Sequence, residues 1–242
     1  MEKVGMVMFD LSGTTVQDDT AVEDCLFRAA REFDLDTSVE EIVYHLGMNK
    51  IHLFQFLIAR SQGRVLDIKE FEKYKDRSSY ESAKRIFDRY EEFMLDHYRS
   101  GVREIPGASD TFRWLHDRGI KVATDTGFHG RITEAIMDGL GWLRDGLVDV
   151  AVHVESIPGQ RGRPAPYMIF HAMEKLDVQS VHAVIKVGDT PADMLEGRNA
   201  GCRGIVGVLG GAQPVTAWGK YYHTHVIPSV KELPDLIESE FL

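Results

Sequence analysis

Four short segments place reactive or charged side chains at the end of an apolar run or some way beyond it. They are Phe9-Asp10-Leu11-Ser12-Gly13-Thr14-Thr15, Ala123-Thr124-Asp125-Thr126-Gly127, Gly162-Arg163-Pro164-Ala165-Pro166 and Val187-Gly188-Asp189-Thr190-Pro191-Ala192-Asp193. Brought together, they could handle a phosphoryl group. Two carboxylates, Asp10 and Asp189, can hold a hard cation such as Mg2+ through oxygen ligands, and such a cation draws charge from phosphorus. Asp10 can also attack phosphorus and form an aspartyl-phosphate, which divides one hard step into two. Thr124 and Arg163 can donate to phosphoryl oxygens, and Gly13 lets the backbone come close to them. Each residue also has a plainer reading. A lone Asp after a strand commonly forms a turn or caps a helix. Thr190-Pro191-Ala192-Asp193 is by itself a good helix start, with a Thr cap, Pro in the first turn and an acid at the third position. Thr124 could be an ordinary strand residue and Arg163 a surface charge. The order of the four, each at an expected strand end or just beyond it, favours the chemical reading.

The elements that would position these residues alternate. Residues 4–9 form an apolar run that suits a strand buried on both faces of a parallel sheet. Val22, Cys25, Leu26, Ala29, Ala30 and Phe33 then follow helical spacing. Residues 51–59 are apolar-rich, and Ile86, Tyr90, Phe93 and Met94 form another helical stripe. No strand is expected between residues 17 and 100. Residues 102–106 look like a linker. Beyond them the pattern predicts a helix over 111–117 ending at Gly119 and a strand over 120–124. It then predicts a helix over 132–140, a strand over 148–154 and a helix over 165–176. A strand over 181–187 leads to a helix over 191–200 that stops at Gly201. Strands over 204–209 and 224–227 precede a closing helix over 230–240. The expectation is an α/β fold: a doubly wound parallel-sheet core of residues 1–16 and 102–242, with an inserted all-helical domain over 17–101. Such sheets bind ligands at the carboxyl ends of their strands, where the four segments fall.

Bulk composition narrows the classes. The chain has 242 residues and a formal net charge of −10, which argues against nucleic-acid phosphates and anionic membranes as general partners. Its two cysteines, Cys25 and Cys202, are far apart and lack a CxxC pattern, so a disulfide framework or thiolate zinc site is not expected and a cytoplasmic setting fits. The apolar run before Asp10 is too short for a signal-peptide core, and nothing approaches a membrane span. His129, His223 and His225 read as surface or packing residues, with no third ligand suitably spaced for a metal site beside the last two.

This order of segments resembles the haloacid-dehalogenase superfamily, whose core is Rossmann-like and one branch of which carries a helical cap directly after the first loop. The resemblance implies Asp10 as nucleophile, with the Ser12 backbone carbonyl and Asp189 binding Mg2+. Asp193 would support the metal and the basic residue, and Thr124 and Arg163 would bind the phosphoryl group. Most phosphatases of the superfamily have an aspartate two residues after the nucleophile, where this chain has Ser12. A serine hydroxyl is a poor general acid, and losing a positioned acid costs roughly 10²–10⁴-fold. The phosphonoacetaldehyde hydrolase branch also lacks that acid. Asp10-Leu11-Ser12-Gly13-Thr14-Thr15-Val16, Gly162-Arg163-Pro164 and Ile185-Lys186-Val187-Gly188-Asp189-Thr190 followed by Asp193-Met194 and Glu196-Gly197-Arg198-Asn199-Ala200-Gly201 resemble it.

In that branch a cap lysine forms a Schiff base with the aldehyde, and the iminium takes up electrons as the carbon–phosphorus bond breaks. Leu46-Gly47-Met48-Asn49-Lys50-Ile51 resembles its Met-Gly-x-x-Lys-Ile and puts Lys50 in that role, with Gly47 in the substrate-facing turn. The alternatives are that Lys50 only binds substrate or is a plain surface lysine. Leu53, Thr20 and Phe128 depart from the branch's histidine, cysteine and tyrosine. The expected substrate is a small phosphonate or phosphorylated metabolite, and a homodimer formed through cap helices is in keeping with the resemblance. Under the alternative of an ordinary phosphomonoesterase, Lys50 binds only. The missing acid must then be sought among Asp18, Asp19 and Asp125, the last of which also reads as a turn residue, and Asp125 and Thr126 join the substrate-binding set.

Overall fold

A computed structural model describes residues 3–44, 49–64, 79–211 and 215–242. Among the described residues, six strands form one sheet: β1 (Met6–Asp10), β2 (Lys121–Thr126), β3 (Val150–His153), β4 (Val184–Gly188), β5 (Gly204–Val208) and β6 (His225–Ile227). All pairings are parallel, in the order β3-β2-β1-β4-β5-β6. The chain winds from β1 to β2 and β3 on one side, then crosses to β4, β5 and β6 on the other. The winding therefore reverses between β1 and β4, and the crevice at their carboxyl ends is the ligand-binding position of doubly wound sheets. Asp10 ends β1 and Asp189 follows β4 directly.

The helices are α1 (Ala21–Glu32), α2 (Val39–Tyr44), α3 (Lys50–Ser61), α4 (Tyr80–Arg99), α5 (Ala108–Asp117), α6 (Gly130–Leu140), α7 (Tyr167–Lys175), α8 (Pro191–Ala200) and α9 (Leu233–Glu240). None of the described helices is long and apolar enough to cross a membrane. The α/β alternation holds throughout the second half, with shifts at the ends. β2 runs on through Thr126, so Asp125 lies inside the strand rather than in a turn after it, and Thr124 is not its last residue. β3 is shortened because residues 154–156 turn into a 3-10 helix whose cap is His153. The closing helix likewise begins as a 3-10 turn over 230–232.

Strand alternation decides which side of the sheet faces the chemistry. Met6 and Met8 share one face with Ala123, Met168, Ile169 and Met194. Phe9 takes the opposite face, edge-on to Phe112 of α5 at 5.1 Å, and Phe112 meets Trp142 at 5.0 Å. Trp142 Nε1 donates to Ser109 Oγ at 3.0 Å. Asp10 keeps the phase of Met6 and Met8, which directs its carboxylate to the face covered by α7 and α8.

The chain divides into two compact units, Met1–Gln17 with Gly101–Leu242, and Asp18–Ser100. The second is helical among its described residues: Leu26, Ala30, Leu53, Phe54, Leu57, Ile86, Phe87, Tyr90 and Met94 are buried. Its first helix is capped by Asp18, whose Oδ1 accepts from Val22 N at 3.2 Å. The two chain passages at the edge of the first unit are paired. Gln17 N donates to Arg103 O at 2.9 Å, Ile105 N to Thr15 O at 2.8 Å, and Gln17 Nε2 to Glu104 O at 3.0 Å. Residues 102–106 are thus a bonded ribbon rather than a loose linker.

The aromatic stack makes a stability prediction. Phe112→Ala should lower the unfolding free energy by about 3–5 kcal/mol in urea titration, and a loss below about 1 kcal/mol would mean that the stack contributes little.

Candidate active site

The loop after β1 is built to hold Asp10 still. The backbone N–H groups of Thr14, Thr15 and Val16 all donate to Leu11 O, at 3.2, 2.9 and 2.8 Å, and Gly13 N donates to Val16 O at 2.9 Å. Thr15 Oγ1 donates to the Asp10 carbonyl at 2.8 Å. Gly13 has φ 81, and a Cβ there would collide with the Asp189 carboxylate, as would one on Gly211. Two glycine backbones therefore cradle Asp189, which also accepts from Thr14 Oγ1 at 3.3 Å. Ser12 is half-buried in the same loop and forms a bridge with Val16.

Arg163 ties the site together. Its guanidinium donates through Nη2 to Asp10 Oδ1 at 2.5 Å, to the Asp125 carbonyl at 2.8 Å and to Asp125 Oδ1 at 3.2 Å. Nη1 pairs with Asp193 Oδ1 at 2.7 Å, and Nε lies 3.7 Å from Glu196 Oε2. Asn199 Nδ2 of α8 donates to Pro164 O at 2.8 Å and anchors the segment that carries Arg163. A second cation, Lys186 of β4, is fully buried and pairs with Asp125 Oδ1, with Asp193 Oδ1 at 3.1 Å and with Glu196 Oε2 at 3.2 Å. Asp193 also closes a capping box at the start of α8: its Oδ2 accepts from Thr190 N at 3.2 Å and from Thr190 Oγ1 at 2.5 Å. One Asp193 oxygen thus serves the helix cap and the other the ion pairs with Arg163 and Lys186.

Four carboxyl groups, those of Asp10, Asp125, Asp193 and Glu196, thus pair with two cations, and Asp189 lies beside Asp10 and Asp193. The imbalance appears as proton uptake. Burial raises the Asp10 carboxyl to about 6 even though the Arg163 guanidinium pulls the other way. Burial, with the neighbouring Asp125 charge, pushes Glu196 well above the carboxylate range. Burial would also raise Asp125, but Arg163 and Lys186 outweigh it and hold that carboxyl at about 2. Oxygens of Asp10, Asp189 and Asp193 lie within 4.8 Å of one another, close enough to share an ion. Hard oxygen donors carrying excess negative charge suit a divalent cation such as Mg2+.

The other expected residues fall in different places. The register aligns Phe9 with Thr124 and Asp10 with Asp125, so Asp125 shares the face of Asp10 while Thr124 shares that of Phe9. Thr124 is fully buried, and its Oγ1 has no hydrogen-bond partner among the described residues. Thr126, which ends β2, accepts from Phe128 N at 3.1 Å and shapes the turn beyond it. Gly47 lies outside the described residues. Lys50 opens α3 in the helical unit, half-buried, after Asn49 whose side chain accepts from Ile51 N and His52 N at 3.0 and 3.3 Å. Glu23 of the same unit feels the Lys50 charge, while burial raises its carboxyl. Sequence reasoning assigned no role to Lys186 and Glu196. The signal was a lysine in a strand otherwise apolar on both faces, because a buried charge must find a partner.

A family profile described as haloacid dehalogenase-like hydrolase matches residues 4–201. With the Asp10 loop at the switch point of a doubly wound sheet, the chain belongs to the haloacid dehalogenase-like hydrolases and is an enzyme of that class. It is 28% identical over 202 residues to a phosphonoacetaldehyde hydrolase of Parabacteroides distasonis, covering 83% of this chain and 74% of that one. It is also 28% identical over 213 residues to a phosphonoacetaldehyde hydrolase of Bacillus cereus, covering 87% and 78%. A phosphonoacetaldehyde hydrolase-like protein of Oleispira antarctica shares the fold with a TM-score of 0.74 and 20% identity, over 98% of this chain and 92% of that one.

The raised Asp10 carboxyl predicts a pH-dependent effect on stability. In the folded, metal-free protein Asp10 keeps its proton up to about pH 6, whereas the unfolded chain releases it near its ordinary 3.8. Stability from this group is therefore complete below 3.8 and lost as pH rises through about 6. In EDTA-treated protein, Asp10→Asn should stabilise by roughly 2–3 kcal/mol above pH 7 and have little effect near pH 4. Equal effects at both pH values in urea titrations would refute the assignment.

Proposed function

We propose that this chain is a divalent-metal-dependent hydrolase that cleaves a small phosphonate of the phosphonoacetaldehyde type, with Asp10 as the nucleophile and Lys50 as a Schiff-base amine. The observation that carries the reading is the state of Asp125. An ester's alkoxide must be protonated as it leaves, and Ser12 stands where an acid would serve. Asp125, the carboxyl nearest in the register, is held ionised by Arg163 and Lys186 and has no proton to give. Burial holds the Glu196 carboxyl well above the usual carboxylate range, and its contacts are to Lys186 and Arg163. A carbon leaving group needs an electron sink instead of that acid, and an iminium on Lys50 supplies one.

The steps follow from these residues. The Lys50 amine condenses with the aldehyde, releasing water. The Asp10 carboxylate then attacks phosphorus. The phosphorus–carbon bond breaks, its electron pair moves towards the iminium, and an enamine remains beside the aspartyl-phosphate. The enamine gains a proton, and its hydrolysis releases acetaldehyde and the free amine. Water then cleaves the aspartyl-phosphate, giving phosphate and Asp10. Arg163, which already contacts Asp10, neutralises charge on the phosphoryl oxygens. Mg2+ held by Asp10, Asp189 and the Ser12 carbonyl, with Asp193 in support, would neutralise further charge there. Condensation requires Lys50 as the neutral amine.

Phosphate release from phosphonoacetaldehyde in Mg2+ should exceed release from any of a panel of small phosphate esters. Borohydride added with phosphonoacetaldehyde should inactivate the enzyme and add the two-carbon adduct to Lys50. Lys50→Ala should lose phosphonate turnover, and Asp10→Asn all turnover. Release from esters alone, or undiminished phosphonate turnover in Lys50→Ala, would reduce Lys50 to a binding residue and favour a phosphomonoesterase.

A further inference from the structure

Lys186 lies at the centre of the sheet with no exposed surface, in a strand that would otherwise be apolar on both faces. β4 places it beside Met8, on the same face as Asp10. Gly197 of α8 lets the helix close over it: a Cβ there would come within 3.0 Å of Lys186 Cβ. Its ammonium is near Asp125, Asp193 and Glu196, whose oxygens are grouped as tightly as those of the Asp10, Asp189 and Asp193 set. The two triads share Asp193. Lys186 pairs with every member of one set, and Arg163 pairs with Asp10 and Asp193 of the other.

Two of the carboxylates that Lys186 holds are also partners of Arg163. Asp125 Oδ1 receives both Lys186 Nζ and Arg163 Nη2, and Asp193 Oδ1 receives both Lys186 Nζ and Arg163 Nη1. The same Nη2 donates to Asp10. Resting on the reading of Asp10 and Arg163 as the phosphoryl site, we propose that Lys186 is a positioning residue. It is the fixed cation that sets Asp125 and Asp193, and through them aims the Arg163 guanidinium at Asp10 and at a phosphoryl group bound there. Without it, three carboxyl groups draw on Arg163 alone, and the guanidinium is pulled towards them and away from Asp10. Lys186 touches neither nucleophile nor substrate, so its influence is on where charge sits rather than on bond making.

The test is the affinity for inorganic phosphate in saturating Mg2+, measured by calorimetry well below the melting temperature of each variant. Lys186→Met should weaken phosphate binding by about 10–100-fold, the range seen when supporting partners of a site are removed, and should raise KM and lower kcat together on p-nitrophenyl phosphate. Because a lone apolar replacement leaves buried carboxylates without a cation, Lys186→Met/Glu196→Met is the second variant. It exchanges an ion pair for apolar packing, which a fold often tolerates, while leaving Asp125 and Asp193 to Arg163. It should fold and show the same loss. A folded variant of either kind with phosphate affinity within twofold of wild type, and only its melting temperature lowered, would overturn the proposal and leave Lys186 a structural residue. If wild type binds no phosphate at all, the phosphoryl-site reading falls, and this inference with it.

Discussion

Charge balance around Arg163 is the constraint on which the rest of the site depends. A guanidinium can be buried only if its donors find acceptors, and this one faces carboxylates from β1, β2 and α8. Those elements must therefore converge at one point. The doubly wound order brings β1 between β2 and β4, so that Asp10, Asp125 and Lys186 share a face. The capping box of α8 fixes Asp193 at the start of the next helix. Removing one partner from such a cluster leaves uncompensated charge, which is strongly destabilising.

The excess of carboxyl groups also explains what the site asks of its surroundings. Burial raises the Glu196 and Asp10 carboxyls, which favours their neutral forms and eases part of the negative charge. A nucleophilic carboxylate is ionised when it reacts, so Asp10 needs another positive partner to take over from its proton. The glycine cradle of Asp189 and the short oxygen separations beside Asp10 are suited to a small divalent ion. Asp125 acts in the opposite sense: two cations keep it permanently ionised, which makes it an anchor for Arg163 and useless as an acid.

Much of this was legible in the sequence, for identifiable reasons. Asp10 and Asp189 stand where apolar runs stop, Arg163 follows in the loop beyond β3, and the alternation of strands and helices brings such segments together. The position of Asp193 could be read as a cap or as a site residue because its two oxygens serve both. Strand ends were less legible. The polar Thr-Asp-Thr run looked like the end of β2, yet Asp125 is buried by its pairing with Lys186 and the strand continues to Thr126. Thr124 consequently sits in phase with Phe9 rather than Asp10. Lys186 and Glu196 are 10 residues apart in the chain and become partners only when α8 packs on β4, a pairing that no local pattern encodes.

The central place of β1 has a further consequence, for the order of synthesis. β1 leaves the ribosome first, but its two neighbours begin at Lys121 and Val184. At roughly 5–20 residues per second, a strand that is apolar up to Asp10 waits on the order of ten seconds for its first partner, and longer for its second. During that time the helical segment 18–100 is made and can begin to fold within its own contacts, while Met6, Val7, Met8 and Phe9 remain without a sheet to join. Chaperone dependence and aggregation of nascent chains should therefore trace to these few residues, well before there is an active site to inactivate.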